Sequence, residues 1–186
     1  LNYAIDRIKF SQVITQGWSH PPTGGLHRPD SKWAMPYEIV KTIPGYNMED
    51  PEGSKAKARE LLAKAGYRPG ELELPLIVWS PSQVPNSIFV TESLEAVGIK
   101  VKPIPTTTAN FYNAITAGDF NVMLHGFSLG GDDPDLILFE HFFSGSDRNY
   151  GRYVNFETDG LILELSATPD AELRKRLAWK FEEILL

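Results

Sequence analysis

Three short apolar runs set the fold class. Glu71–Trp79 (ELELPLIVW), Ile99–Ile104 and Phe120–Leu124 each have the length of a strand, and segments of helical periodicity lie before and between them. Ahead of the first run, Ser54–Gly66 places Ala58, Leu61, Leu62 and Ala65 at i, i+3, i+4 and i+7, with Ser54 or Asp50 as N-cap and Gly66 suited to a left-handed stop. Between the first two runs, a helix introduced by Pro85 and Asn86 puts Val90, Leu94 and Val97 on one face and stops at Gly98. Between the second and third, Thr108–Gly118 turns Phe111 and Ile115 inward. Strands that alternate with helices of this length predict an α/β layered domain. Pro75 cannot donate a ladder hydrogen bond, so it is expected at an edge or a bulge.

The flanks are less regular. Leu1–Thr15 carries Ala4, Ile5, Ile8 and Val13 and is expected to be a helix with no capping residue ahead of it. Residues 17–47 hold Pro21-Pro22, Gly24-Gly25, Pro29, Pro36 and Pro44, which predicts a long ordered loop with one short helix near Tyr37–Lys41. Trp18 and Trp33 are expected to pin that loop to the domain. Helices follow near 134–143, 158–167 and 170–186, the last with Leu173, Leu177, Phe181 and Ile184 on one stripe and no C-cap. Both ends are those expected of a segment cut from a longer chain.

The stretch His125–Ser144, HGFSLGGDDPDLILFEHFFS, carries the candidate site. A short buried strand over 121–124 empties into Gly126, Gly130 and Gly131, where the backbone can turn tightly, and then into Asp132 or Asp133 as a cap with Pro134 at the first helical position. Ligands of open α/β sheets favour the crevice beyond the carboxyl ends of strands, so this is the expected ligand-facing edge. Its candidate contacts are Trp79, Phe127, Ser128, Gly130, Gly131 and Asp132. The plainer alternatives are that Asp133-Pro134-Asp135 is capping architecture and that Trp79 and Phe127 are rim packing. Asn149, Tyr150 and Arg152 fit a structural connection, with Arg152 as a candidate ion-pair partner of the acidic turn.

Several function classes are disfavoured. A net charge of −6 without a Lys/Arg cluster argues against nucleic acid and against an anionic membrane surface. No apolar run approaches the roughly 18–20 residues of a membrane helix, and LNYAIDRIKF lacks a charged-then-apolar signal pattern. With no cysteine, disulfides and thiol chemistry are excluded. A carboxylate hydrolase would need its acids across a cleft about 5–10 Å wide, not adjacent in one turn. No Gly-x-Ser-x-Gly elbow occurs. Asp132, Asp133, Asp135, Glu140 and His141 crowd together, but their spacing fits neither a calcium loop nor a zinc-protease helix, so no metal and no cofactor is expected.

The segments LNYAIDR, KARELLAKAGY followed by ELELPLIV, LEAVGIKV, FYNAITAGDF, GF…DDPD…F, NYGRYVNFETDGLI and a final helix with EEIL resemble, in order, the extracytoplasmic solute-binding proteins of peptide, nickel and opine ABC importers (family 5). The resemblance covers nearly the whole chain but only the distal, C-terminal lobe of that family. It implies a single lobe over 1–186 with a periplasmic binding protein-like (type II, cluster C) fold, a small mixed sheet flanked by helices, and no enzymatic activity. It further implies a monomer that closes with its missing second lobe on a peptide or other small polar solute and docks on the transmembrane subunits of an ABC permease. The location implied is periplasmic or anchored at the bacterial cell surface.

In family members that hold a free peptide amine, the turn is GWxxDxxDPD. Here the first Asp of that pattern falls on Gly130 and the Trp on Phe127, with Asp132 two residues along as a possible substitute. The arginine with which dipeptide binders hold a carboxylate has no counterpart in SPSQVPNS. A longer or modified peptide, an oligosaccharide or another polar solute stays open, as does a protein-interaction module.

Overall fold

The computed structural model describes residues 1–14, 25–126 and 131–186. Its helices and strands, in order, are α1 (Arg7–Ile14), α2 (Tyr37–Val40), α3 (Pro51–Lys64), β1 (Glu73–Val78), α4 (Val84–Glu95), β2 (Lys100–Pro105), α5 (Thr108–Ala117), β3 (Val122–Met123), α6 (Asp135–Phe142), α7 (Phe156–Ala167) and α8 (Ala171–Leu185). Of the described residues, 1–14 and 40–125 form one compact unit, and 25–39, 126 and 131–186 form another.

The first unit is an α/β layer built on a sheet of order β2-β1-β3. All described pairings are parallel, so the sheet is not the mixed one expected. The reason lies in the connections: α4 carries the chain from β1 to β2 and α5 from β2 to β3, and a crossover helix returns the chain to the same end of the sheet. β1 is central, yet it contains Pro75. Lys100 N–H donates to the Leu72 carbonyl and Thr106 N–H to that of Val78, so by the two-residue pleat the even-numbered amides of β1 face β2. Pro75 therefore presents its ring nitrogen to the other side, before pairing with β3 begins at Leu76. The same alternation turns Pro103 and Pro105 away from β1, onto the outer edge of β2.

Caps and stops explain the helix bounds. α3 begins at Pro51, with Asp50 accepting from Gly53 N–H at 2.8 Å, so Asp50 and not Ser54 is the cap. Thr107 caps α5, and Gly118 closes it at φ 75°, where a side chain would be strained. Phe111 and Ile115 are buried as predicted. Two further expectations fail in this unit. Residues 1–14 are not one helix: Asn2–Ala4 is a 3-10 turn ahead of α1, and Val13 is exposed. The third strand is only two residues long and half-buried.

The second unit packs α6, α7 and α8 around Leu138, Ile162, Leu165, Ala178 and Phe181. Its last helix buries Leu177, Ala178, Phe181 and Glu182, while Ile184 is exposed, so the buried stripe is rotated from the expected one. The stripe turns because residues 25–39 lie over this helix: Leu26 N–H donates to Glu182, and Trp179 Nε1 donates to the Trp33 carbonyl. Gly25 makes the approach possible, since at φ 79° a Cβ would stand 2.5 Å from Glu182 Oε2. Trp33 is buried and pins its loop as expected, whereas Trp18 lies outside the described residues.

Candidate functional site

The parallel sheet delivers β1 and β3 to the same end, and Trp79 and His125 stand one and two residues past their last strand positions. α5 begins at that end too, after β2, and brings Phe111 and Tyr112. The rings form one cluster. Trp79 lies 5.7 Å from Phe111 and 6.3 Å from Tyr112; His125 stacks on Phe111 at 5.9 Å with 4° between planes and meets Tyr112 edge-on at 6.3 Å. Phe111 is fully buried and Tyr112 is 41% exposed, so the cluster has an anchored side and an open side.

Polar groups complete the corner. After Trp79, Ser80 caps a 3-10 turn over Pro81–Gln83 by accepting from Ser82 N–H. Gln83 then donates Nε2 to the Leu124 carbonyl at 3.1 Å, tying the exits of β1 and β3 together. Its Oε1 is buried with no donor, and Trp79 Nε1 is buried with no acceptor. Such groups are rare in folded chains, because each forfeits its hydration without return.

The acidic turn belongs to the second unit and is held by protein. Asp133 accepts a two-pronged pair from Arg174, Nη2 to Oδ1 at 2.7 Å and Nη1 to Oδ2 at 3.1 Å, and also takes Asp135 N–H. Asp135 accepts from Arg174 Nη2 at 3.0 Å and from Ser166 Oγ at 2.7 Å. Burial alone would raise the Asp133 carboxyl, but the Arg174 hydrogen bonds, the Asp135 N–H and the charges of Arg174 and Lys32 outweigh it and hold it below its usual value. Arg174, not singled out from the sequence, is thus a cation of the turn. Arg174→Ala is expected to destabilise this unit by about 2 kcal/mol, since two adjacent carboxylates lose their partner while staying half-buried. A urea denaturation midpoint unchanged by the substitution would contradict that.

Asp132 is exposed, and its Oδ1 accepts from Ser31 Oγ at 2.6 Å while its carbonyl accepts from Trp33 Nε1 at 2.8 Å. Gly131 is exposed as well, and a Cβ there would make an ordinary 3.6 Å contact with Leu136. Neither Gly126 nor Gly131 has positive φ, so the tight-turn argument for these two glycines does not hold. Trp79 lies in the first unit and Gly131 and Asp132 in the second; Phe127, Ser128 and Gly130 lie outside the described residues. The sequence argument missed Gln83, Tyr112 and His125. The parallel sheet was the signal that could have found them, because it collects at one edge whatever follows each strand.

Among the described residues no cluster of three metal-ligating side chains occurs, and no helix is long and apolar enough to cross a membrane. Residues 1–149 match the model of the bacterial extracellular solute-binding proteins, family 5 middle segment. The chain is 28% identical over 184 residues to heme-binding protein A of Haemophilus influenzae, covering 95% of this chain and 32% of that protein. It is 27% identical over 194 residues to di/tripeptide-binding protein 1 of Pseudomonas aeruginosa, covering 100% of this chain and 34% of the other. The chain therefore spans about a third of the length of these relatives.

Among solved structures, its fold is similar to Haemophilus influenzae OppA in complex with RPPGFSPFR, with TM-score 0.84 at 23% identity over 99% of this chain and 36% of that one. It is also similar to the Escherichia coli murein tripeptide-binding protein MppA, with TM-score 0.82 at 21% identity over 99% and 35%. With the α/β fold shared over nearly all its length and the family model matched over four-fifths of it, this chain belongs to the bacterial extracellular solute-binding proteins of family 5.

Proposed function

We propose that this chain is one lobe of the substrate-binding component of an ABC importer. It captures a peptide or peptide-like solute against a second lobe of the same protein and hands it to the transmembrane subunits of a permease outside the cytoplasm. The observation that carries this proposal is the corner at the carboxyl ends of β1 and β3, where an aromatic cluster with one open ring adjoins a dehydrated donor and a dehydrated acceptor. Placement at strand ends fits the general location of ligands in parallel α/β sheets, and the similar di/tripeptide-binding protein 1 and OppA hold peptides. Trp79 and Asp132 are proposed ligand contacts: Trp79 has an unused hydrogen-bond donor, and the exposed Asp132 carboxylate accepts from Ser31 through one oxygen. Phe127, Ser128, Gly130 and Gly131 complete the proposed set.

Mass spectrometry of solute carried through purification by the full-length protein tests the assignment. A bound peptide is the expected result. A carried haem or sugar would overturn the peptide assignment while leaving solute binding intact.

Closure of two lobes means that each supplies part of the contacts, so the ligand's binding energy shifts an open/closed equilibrium. The 186-residue chain alone is accordingly expected to bind that solute weakly or not measurably. Calorimetry giving a micromolar or tighter Kd for the folded chain would sink the two-lobe proposal.

A further inference from the structure

The neutral segment after β1, residues 80–87 (SPSQVPNS), carries no charge with which to recognise a charged ligand terminus. It does carry half of an unfilled hydrogen-bonding pair. Gln83 has one amide, and Nε2 is spent on the Leu124 carbonyl at 3.1 Å, which fixes the plane of the group and turns Oε1 to the other side. That oxygen is buried and accepts nothing. Trp79, four residues earlier, packs against the tilted rings of Phe111 at 5.7 Å and Tyr112 at 6.3 Å, which restricts the swing of its indole N–H toward another acceptor. It too is buried and donates to nothing.

A closed circuit of contacts brings the two to one corner: Trp79 to Phe111, Phe111 to His125, the chain from His125 to Leu124, Leu124 to Gln83, and the 3-10 turn back to Trp79. One fixed donor and one fixed acceptor, neither charged, are thus left unanswered beside an aromatic face.

We propose that Trp79 Nε1 and Gln83 Oε1 form a subsite for a neutral ligand group that brings both an acceptor and a donor, namely an internal peptide bond of the bound solute. The proposal rests on the solute-binding role given above and narrows it. A carboxylate offers acceptors only and would repel Gln83 Oε1; an ammonium offers donors only and would clash with the indole N–H. A backbone amide answers both, its carbonyl accepting from Trp79 and its N–H donating to Gln83. A sugar hydroxyl has the same dual capacity, so the two sources share this chemistry and the experiment separates them. An internal amide implies a solute with at least two peptide bonds or a blocked end, so that one bond can lie at this corner while the termini are held elsewhere.

The test has a part that needs no ligand. Replacing Trp79 by 3-benzothienylalanine keeps the bicyclic ring and puts sulfur where the N–H was. If the donor is unanswered in the free full-length protein, its melting temperature should stay the same or rise. A fall of several degrees would show that the N–H has a structural partner and would overturn the proposal.

The second part titrates the full-length protein with trialanine, with trialanine N-methylated at each peptide bond in turn, and with cellotriose. The same replacement of Trp79 and Gln83→Leu are each expected to weaken trialanine binding about 5- to 100-fold. N-methylation of one bond should weaken binding to the wild type by a similar factor and to Gln83→Leu by much less. Trialanine binding that both variants leave unchanged would overturn the subsite while the peptide-binding role stands. Binding of cellotriose but not trialanine, with the same sensitivity to both substitutions, would overturn the peptide bond as occupant. Binding of neither probe, together with no peptide among the carried solutes, would remove the underlying role and the subsite with it.

Discussion

Phe111→Ala is expected to cost the first unit about 3–5 kcal/mol, the range for deleting a fully buried aromatic ring. The ring has no exposed surface, and it lies closer to Trp79 (5.7 Å) and His125 (5.9 Å) than Tyr112 does (6.3 Å to each), with Tyr112 itself at 5.6 Å. Its removal leaves a cavity whose walls are three rings at the ends of two strands and the start of a helix, and these elements cannot all collapse inward together. Two contrasts give the prediction its sense. Tyr112→Ala removes a ring that is 41% exposed and should cost less than about 1.5 kcal/mol. Phe111→Leu keeps most of the volume and should cost about 1–2 kcal/mol. Urea denaturation of the three variants gives the order directly. If Phe111→Ala costs no more than Tyr112→Ala, Phe111 is not the anchor of the corner, and a rigid ligand-facing wall loses its support.

Much of this architecture is legible in the sequence. Periodicity found α3, α4 and α5, and turn chemistry found their ends at Gly66, Gly98 and Gly118, each with positive φ. What periodicity could not supply was pairing. Pro75 suggested an edge strand by the usual rule, but β1 is central, and it tolerates proline because its third residue faces the side where pairing has not begun. The site was legible to a lesser degree. Trp79 is legible from its place at a strand end and does lie there, but its ring partners are Phe111 and Tyr112, with His125 joined through Phe111 and Gln83 through Leu124, a set that only the parallel sheet gathers. The acidic turn looked like ligand chemistry because three aspartates crowd four positions; its ion pairs run to Arg174, some forty residues later, a distance no local pattern spans. Glu182 was invisible for the opposite reason, since a glutamate on a final helix ordinarily faces water, and only the passage of Gly25 and Leu26 over it makes it a core residue.

That buried glutamate sets up the second large effect, which appears only when its partner is removed. Glu182 has no exposed surface; burial pushes its carboxyl from 4.5 up to about 7, against the opposing pull of the Leu26 N–H. His27 Nε2 lies 3.5 Å from Glu182 Oε1, and burial lowers its imidazole, against the charges of Asp132 and Asp133 that favour the protonated form. The two shifts act on stability with opposite signs. A raised carboxyl stabilises the fold fully below about pH 4.5 and loses that contribution as pH rises through about 7. A lowered imidazole stabilises the fold above about pH 6.5 and loses that contribution as pH falls through its folded value. Over most of the interval between them the folded pair holds one proton, as the unfolded pair does, so the wild type should show a shallow melting profile from pH 5 to 8.

Each single substitution removes one side of that balance. His27→Phe is expected to be less stable at pH 8 than at pH 5 by up to about 3 kcal/mol, the 2.5-unit rise of Glu182 at roughly 1.4 kcal/mol per unit. Glu182→Gln should tilt the other way, losing stability toward pH 5 and exceeding the wild type at pH 8, where it no longer buries an anion. The double variant should be flat again. Melting temperatures of the four proteins between pH 5 and 8 decide the matter: parallel profiles for the two single variants would mean that these groups do not share a proton in the core. Residues 25–39, which carry His27, also supply the Ser31 and Trp33 contacts to Asp132, so the same profiles report how firmly that loop is seated on the acidic turn.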